Sequence, residues 1–339
     1  MERVGVGSTH SLSAYALRRL AQAAVTWAAL VLAVGTFATT GAGSTGSLAT
    51  WLGRLAHFDL GRTADGAAVA AAIADALPPS LLLIGGSGLV TLVLGWGGGL
   101  LLAAAGDGPA LERRRPASGM GRPSMRLYPA RALGRGLAAI ALAGQGVPTF
   151  WLGGLLVALF SLALGALPPG GIVAFDLPAF GTAGYRAALL AHPLPVLGDL
   201  LAHLLLPVFT LSLAGLATTP RLIAAVLPRE ARAPHAQVAR AAGLPRRRLL
   251  WRVARPGLSV VIGGATGDLP VLAGALILVE YLFGWPGLGL LAYHAARAGD
   301  AATLEALALL FGCAIIAAGV AADLAAAWAD PRLRGTMGA

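Results

Sequence analysis

Apolar residues in this chain run in long blocks, separated by shorter stretches that carry most of the charge. A helix needs roughly 20 consecutive apolar residues to cross the hydrocarbon core of a bilayer. Six stretches reach that length, at 16–38, 79–104, 137–166, 201–226, 258–279 and 305–328. The pattern predicts an all-α integral membrane protein with six transmembrane helices in one domain spanning 1–339. The third, fourth and fifth stretches contain Pro or several Gly, which membrane helices tolerate where neighbours satisfy the freed backbone groups. The first block is accompanied by Arg18 and Arg19, as in a signal peptide. It exceeds the usual signal-peptide apolar region of about 7–15 residues, and is read as a retained span.

The connections differ in character. Residues 39–78 contain Trp51-Leu52-Gly53-Arg54-Leu55 and Phe58-Asp59-Leu60-Gly61-Arg62, and the Ala-rich run 67–77 predicts a short amphipathic helix ending at Pro78. Residues 106–136 are rich in Arg, Pro, Gly and Ser, the composition of a mobile loop. Their run Arg113-Arg114-Arg115 can touch anionic headgroups or simply be solvated. In the third span Pro148 predicts a kink, and Trp151 suits either a membrane interface or a packed place in the bundle. Residues 227–257 form the most structured-looking connection. Ala236–Ala242 predicts a short helix stopped by Gly243, followed by Pro245 and a basic amphipathic stretch from Arg246 to Arg252. A small-residue helix held between two spans suits docking into a groove of another protein. A plain interfacial helix explains the same pattern.

Composition sharpens this picture. At 57% hydrophobic and 12% charged, the chain is too apolar for an ordinary soluble domain. A net charge of +10 raises the question of nucleic acid, but the distribution answers it. Every one of the 25 basic residues is an arginine, and only Arg54, Arg62, Arg186 and Arg297 lie in the loops of one side. The rest lie on the other side, which the positive-inside rule makes cytoplasmic, together with both termini. An even number of spans requires the same. Arginines that alternate with spans do not form one basic nucleic-acid face. With no lysine, the chain cannot carry a P-loop. The single cysteine, Cys313, excludes an intrachain disulfide and a cysteine metal cluster; inside the last apolar block it is expected to be a small buried apolar side chain.

Acidic residues within the apolar blocks are candidate functional groups by default. Asp268 lies in Gly267-Asp268-Leu269-Pro270 of the fifth span. Either it faces the pathway and meets a cationic group such as a peptide amino terminus, or it hydrogen-bonds a neighbouring helix or backbone freed by Pro270. Glu280 precedes a rigid Trp285-Pro286-Gly287 corner, an arrangement suited to a wet gate or vestibule, or to a carboxylate that orders the corner through backbone N–H groups. Asp268 and Glu280 are about 18 Å apart by helical rise, too far for a catalytic pair. His192 and His203 flank the start of the fourth span without the dense ligand set a metal needs.

Several of these residues, in their order and spacing, resemble the membrane-spanning permease subunits of ATP-binding-cassette importers of the peptide/nickel (dipeptide and oligopeptide) class. The similarity starts at Tyr15-Ala16-Leu17-Arg18-Arg19-Leu20 and Phe58-Asp59-Leu60-Gly61-Arg62. It continues through Pro148-Thr149-Phe150-Trp151-Leu152-Gly153 and Ala239-Arg240-Ala241-Ala242-Gly243-Leu244. Val279-Glu280, Phe283-Gly284-Trp285-Pro286-Gly287-Leu288-Gly289 and Asp330-Pro331-Arg332-Leu333-Arg334 complete it.

The resemblance implies the type I importer permease fold and a multi-pass place in a prokaryotic inner (plasma) membrane. It implies a pathway shared with a second, homologous permease subunit, two cytoplasmic ATP-binding subunits that hold ATP and Mg, and an extracytoplasmic solute-binding protein. It also implies that residues 236–244 form a coupling helix, with Gln237, Ala239, Arg240, Ala241, Gly243 and Leu244 at the ATPase. Asp268, Glu280, Trp285, Pro286 and Gly287 are then pathway or gate candidates, and the chain itself has no catalytic, cofactor or metal site. Departures are the region Ala38-Thr39-Thr40-Gly41-Ala42-Gly43-Ser44, where members have a Pro-Gly-Asp-Pro-like stretch, and Pro228, Pro234, His235 and Gln237-Val238-Ala239 around the coupling helix. The loop 106–136 is also longer than expected. The competing readings are a self-contained secondary transporter, which would show an inverted repeat, and a divergent non-transporting permease paralogue.

Overall fold

The computed structural model describes residues 12–40, 47–105 and 148–330. Within them lie the helices α1 (Leu12–Thr40), α2 (Leu48–Ala56), α3 (Val69–Ala105), α4 (Thr149–Leu156, continued as a π-helical stretch Val157–Ala163), α5 (Ala183–Ala191) and α6 (Pro193–Arg232). They are followed by α7 (Pro234–Ala241), α8 (Arg246–Gly267), α9 (Leu269–Phe283), α10 (Leu288–Ala298) and α11 (Ala301–Ala329). Among the described residues the only β structure is one isolated bridge between Arg62 and Ala68.

Four helices are long and apolar enough to cross a bilayer: α1, α3, α6 over Pro193–Leu213, and α11. A fifth crossing arises when α8 and α9 count as one bent span. The shorter apolar helix Thr149–Ala163 occupies the second half of the expected third span. The first part of that span, residues 137–147, lies outside the described residues, as do the basic loop 106–136, the residues 41–44 and the end of the chain beyond Asp330, while Pro148 itself stands as the residue before α4.

Three expectations are corrected. The run 67–77 is not a separate helix ending at Pro78, because α3 continues unbroken through Pro78 and Pro79. The two prolines withdraw the helical donors for the carbonyls of Ala74 and Asp75. Both residues line an open cavity, so water can reach the freed groups and the helix need not stop. The fifth span is not continuous: α8 ends at Gly267, α9 starts at Leu269, and the axis turns by 47°. Pro270 has no N–H, and the N–H of Asp268 bonds to the carbonyl of Thr266 in place of a regular helical acceptor. Cys313 is exposed and not buried, which is without cost where the surrounding medium is lipid.

The centre of the fold is the meeting of α3, α6 and α9, where Leu83, Leu211, Leu276, Val279, Phe283 and Trp285 form one buried cluster. The most extensive contact is between α3 and α6, while α1 lies against α11 and α8 touches both α6 and α11. Without a hydrophobic driving force between helices in lipid, tight backbone approach through small residues supplies the contact energy. A Cβ at Gly86 would meet Val208 Cγ2 at 2.8 Å, one at Gly99 would meet Ile223 Cβ at 2.6 Å, and one at Gly215 would meet Thr91 Cγ2 at 2.6 Å. Large apolar side chains such as Leu17, Val25, Phe37 and Leu89 point outward, as expected of helices whose solvent is hydrocarbon.

The close α3–α6 approach predicts that Gly99→Leu lowers thermal stability by about 1–3 kcal/mol through overpacking. Gly97→Ala, on a face with nothing within 4 Å, should stay within about 0.5 kcal/mol of wild type. Melting of the two purified variants in detergent checks the contrast; equal melting would mean that the helices are not closely packed at Gly99.

Candidate functional site

The C-terminus of α9 builds the first site. Gly284 adopts φ 58°, the left-handed conformation that ends helices. Its N–H donates to the carbonyl of Tyr281 at 3.2 Å, and that of Trp285 donates to the carbonyl of Glu280 at 2.8 Å. These paired bonds turn the chain so that Trp285 enters the core, fully buried, with its indole N–H donating to the carbonyl of Pro79 at 2.9 Å. Pro286 stays exposed and Gly287 leads into α10.

Glu280 is also fully buried. Its Oε1 accepts the hydroxyl proton of Ser80 at 2.6 Å, and its Oε2 accepts the N–H groups of Gly289 at 2.6 Å and Leu290 at 3.1 Å. The N–H of Leu288 donates to Ser80 Oγ at 2.7 Å. The first N–H groups of a helix have no acceptor of their own, and the positive end of the helix dipole favours an anion there. The carboxylate therefore ties α3, α9 and the start of α10 into one unit. It needs room: a Cβ at Gly287 would run into the carboxylate and Ser80 Oγ, and one at Gly289 would lie 2.6 Å from Ile277 Cα. Thus Glu280, Trp285 and Gly287 come together, while Pro286 borders an open cavity of about 750 Å³ that also reaches Asp75, Phe180 and His294. Ser80 and Pro79 were not singled out from sequence. Ser80 lies 200 residues from its partner, and no local pattern marks it.

Asp268 stands at the break between α8 and α9, at the opposite end of α9 from Glu280. It is half-buried, its Oδ2 accepts from Thr218 Oγ1 at 2.9 Å, and it lines a second cavity of about 410 Å³. The structure shows the hydrogen bond to a neighbouring helix, and it also sets the carboxylate on a cavity wall. The bond to Thr218 has no local signature either.

The third candidate is α7, held between α6 and α8. Gly243, at φ 68°, follows its end, and the N–H of Leu244 donates back to the carbonyl of Ala239 at 3.3 Å, the terminator geometry expected of glycine at this position. Ala236 and Ala239 are buried, so Ala239 packs within this chain. Gln237, Val238, Ala241 and Gly243 are exposed, and Leu244 is half-buried. Gln237 Nε2 donates to the carbonyl of Arg232 at 2.9 Å. Arg240 lies on the same helix.

Of the two histidines, His203 is buried and its Nδ1 sits 3.3 Å from Asp199 Oδ1. Among the described residues no third ligand joins them. At the start of α11, Asp300 accepts from the N–H and hydroxyl of Thr303 and from the N–H of Ala64, pinning the 61–67 turn. Burial pushes the Asp300 pKa up, but the bonds from Thr303 and from the N–H groups of Ala64 and Ala302 outweigh it, and the carboxyl titrates below its ordinary range.

Long apolar helices with greasy outer faces, close glycine contacts and a buried carboxylate hub define a multi-pass helical membrane protein. Residues 117–335 match the family described as binding-protein-dependent transport system inner membrane component, and the chain belongs to that family. It is 33% identical to the probable D,D-dipeptide transport system permease protein DdpB of Escherichia coli, over 57% of this chain and 58% of that protein. It is 33% identical to the peptide transport system permease protein SapB of Salmonella typhimurium, over 58% of this chain and 63% of that protein. With the oligopeptide transport system permease protein AppB of Bacillus subtilis it shares 26% identity over 84% of this chain and 78% of that protein. The chain thus spans less than two thirds of the length of the first two relatives.

Two predictions follow from the geometry. Glu280→Ala leaves three buried donors without an acceptor and should cost about 3 kcal/mol or more, and Ser80→Ala about 1–3 kcal/mol, with the double variant less than additive. Thermal melts of the three variants in detergent check this; a wild-type melt for Glu280→Ala would remove the carboxylate from its structural role. Because the Asp300 pKa is lowered in the fold, its stabilisation is fully present above the ordinary Asp value near 4 and is lost as pH falls through the lower folded value. Wild type should therefore lose more melting temperature than Asp300→Asn between neutral pH and pH of about 3.

Proposed function

We propose that this chain is the permease subunit of an ATP-binding-cassette importer for peptides or related small solutes, nickel chelates included. The observation that carries this reading is the family match over residues 117–335, supported by relatives named as peptide, dipeptide and oligopeptide permeases. In this reading six spans place both termini in the cytoplasm of a prokaryote, beneath its inner membrane. The chain forms half of a pathway with a second, similar permease subunit. Two cytoplasmic subunits bind ATP and Mg and carry out hydrolysis, an extracytoplasmic binding protein delivers solute, and this chain does no chemistry of its own.

Coupling to the ATPases is assigned to α7. At 1.5 Å per residue, the 40-residue α6 is about 60 Å long, twice the hydrocarbon thickness of about 30 Å, so it has the length to hold α7 clear of the bilayer. The exposed Gln237 and Ala241, with Arg240, Gly243 and Leu244, then supply the docking segment, and the inward-facing Ala239 seats it on this chain. The Trp285-Pro286-Gly287 corner, locked by Glu280, is assigned to the gate, and Asp268 to the pathway.

The test is ATP hydrolysis by the complex of this chain with its companion permease, ATPase and binding-protein subunits. Gly243→Asn keeps a residue tolerant of the left-handed conformation and should preserve binding-protein-stimulated hydrolysis. Gly243→Val forces a β-branched side chain into that region and should reduce stimulation about tenfold, as a cost of 1–3 kcal/mol at the docking segment implies, without loss of assembly. A chain that never co-purifies with an ATPase would favour a divergent, non-transporting paralogue or a self-contained secondary transporter, and stimulation indifferent to Gly243 would overturn the assignment of coupling to α7.

A further inference from the structure

The cavity beside Asp268 lies midway along the bundle, between α3, α6 and the α8–α9 break. Its volume, about 410 Å³, falls within the range of small-molecule sites, about 300–1,000 Å³. The walls are largely apolar, with Leu92, Leu211 and Leu272 among them, and Trp96 contributes an aromatic ring. Polar groups are few: Asp268, the hydroxyls of Ser87, Thr91 and Thr219, and the indole N–H of Trp96, a donor.

The hydrogen-bond directions at those groups are informative. Asp268 occupies the position that caps α9 but makes no side-chain capping bond. The one hydrogen bond to its side chain seen among the described residues is that from Thr218, whereas a carboxylate can accept about four. No basic side chain pairs with it among the described residues. The Ser87 hydroxyl donates to the carbonyl of Ile84 at 3.0 Å, and that of Thr91 to the carbonyl of Ser212 at 3.3 Å. With their protons engaged, both oxygens offer only lone pairs. α8 ends and α9 begins beside Asp268, so the negative pole of one helix and the positive pole of the other meet there and largely offset each other. The polar groups whose bonds are seen, Asp268, Ser87 and Thr91, thus offer acceptors, and a charged carboxylate at membrane depth without a counter-charge is costly.

On the permease reading above, we propose that Asp268 receives the ammonium group of the transported solute, a peptide amino terminus or another primary amine on an apolar body. Thr218 orients the carboxylate, and the apolar walls take the rest of the molecule. An ammonium, with three donors and no acceptor, suits this lining. A calcium or magnesium ion, which calls for about six or more oxygens, does not.

The test uses the whole complex, reconstituted with its companion subunits and binding protein in proteoliposomes, and measures ATP-driven uptake of alanyl-alanine and of its N-acetyl derivative. The binding protein is common to all samples, so a change in the ratio of the two uptakes between variants belongs to the permease. Asp268→Asn is expected to lower the preference for the free amine about tenfold, the size of one charge-assisted hydrogen bond. Asp268→Glu should retain most of the preference, and Thr218→Val should lower it in part. An unchanged preference in Asp268→Asn, or in Thr218→Val if the first variant does not assemble, overturns the assignment while leaving the permease reading in place. A wild-type complex that takes up neither peptide overturns the peptide reading, and this proposal with it.

Discussion

A carboxylate removed from water must find donors, and the arrangement around Glu280 follows from that requirement. Its two oxygens take the hydroxyl of Ser80 and the first free N–H groups of α10, so one side chain joins three helices that are distant in sequence. The turn at Gly284 places Trp285 beside it, and the indole engages the carbonyl of Pro79, next to Ser80. Two separate contacts therefore clamp the same turn of α3. Gly287 and Gly289 are small because the carboxylate and the α9 backbone occupy the space a side chain would need. Moving the corner would break the bonds that hold the Glu280 carboxylate, the Ser80 hydroxyl and the Trp285 indole N–H, and buried polar groups left without partners are costly.

The remainder of the bundle is more loosely specified. Between α3 and α6 the glycines at 86, 99 and 215 let the helices approach, and dispersion contacts do the rest. Prolines interrupt α3, α6 and the α8–α9 span, with different outcomes. Pro78 and Pro79 leave α3 continuous, whereas Pro270 coincides with a break and a bend. The difference lies in what surrounds the freed groups. Near Pro78 they reach an open cavity, while at the Pro270 break the carbonyl of Thr266, which Pro270 leaves without its helical donor, accepts the N–H of Asp268, and Asp268 lines a second cavity. The hydrogen-bonded corner and the broken helix sit at the two ends of α9, so this short helix connects the buried Glu280 network with the cavity beside Asp268.

Much was legible in the chain itself. The apolar blocks gave α1, α3, α6 and α11, because roughly 20 apolar residues in a row leave few alternatives to a spanning helix. Gly243 could be read as a helix terminator, since a left-handed position excludes most other residues, whereas the same role of Gly284 emerged only from the fold. The exposure of Cys313 could not be read, because in lipid an apolar side chain faces inward or outward at similar cost, and only packing selects.

Sequence by itself determined that this is a membrane protein of long helices, with a short glycine-terminated helix between two of them and two acids in costly places. Period and length are local properties, and each block carries its own. Tertiary structure alone decided which partners those acids found. Ser80 for Glu280 and Thr218 for Asp268 come from other helices, and ordinary serines and threonines gain meaning only from the atoms brought within hydrogen-bonding distance. It also decided that one proline stretch would pass through a helix while another would break it: the carbonyls freed by Pro78 and Pro79 border an open cavity, whereas the one freed by Pro270 takes the N–H of Asp268 at the bend.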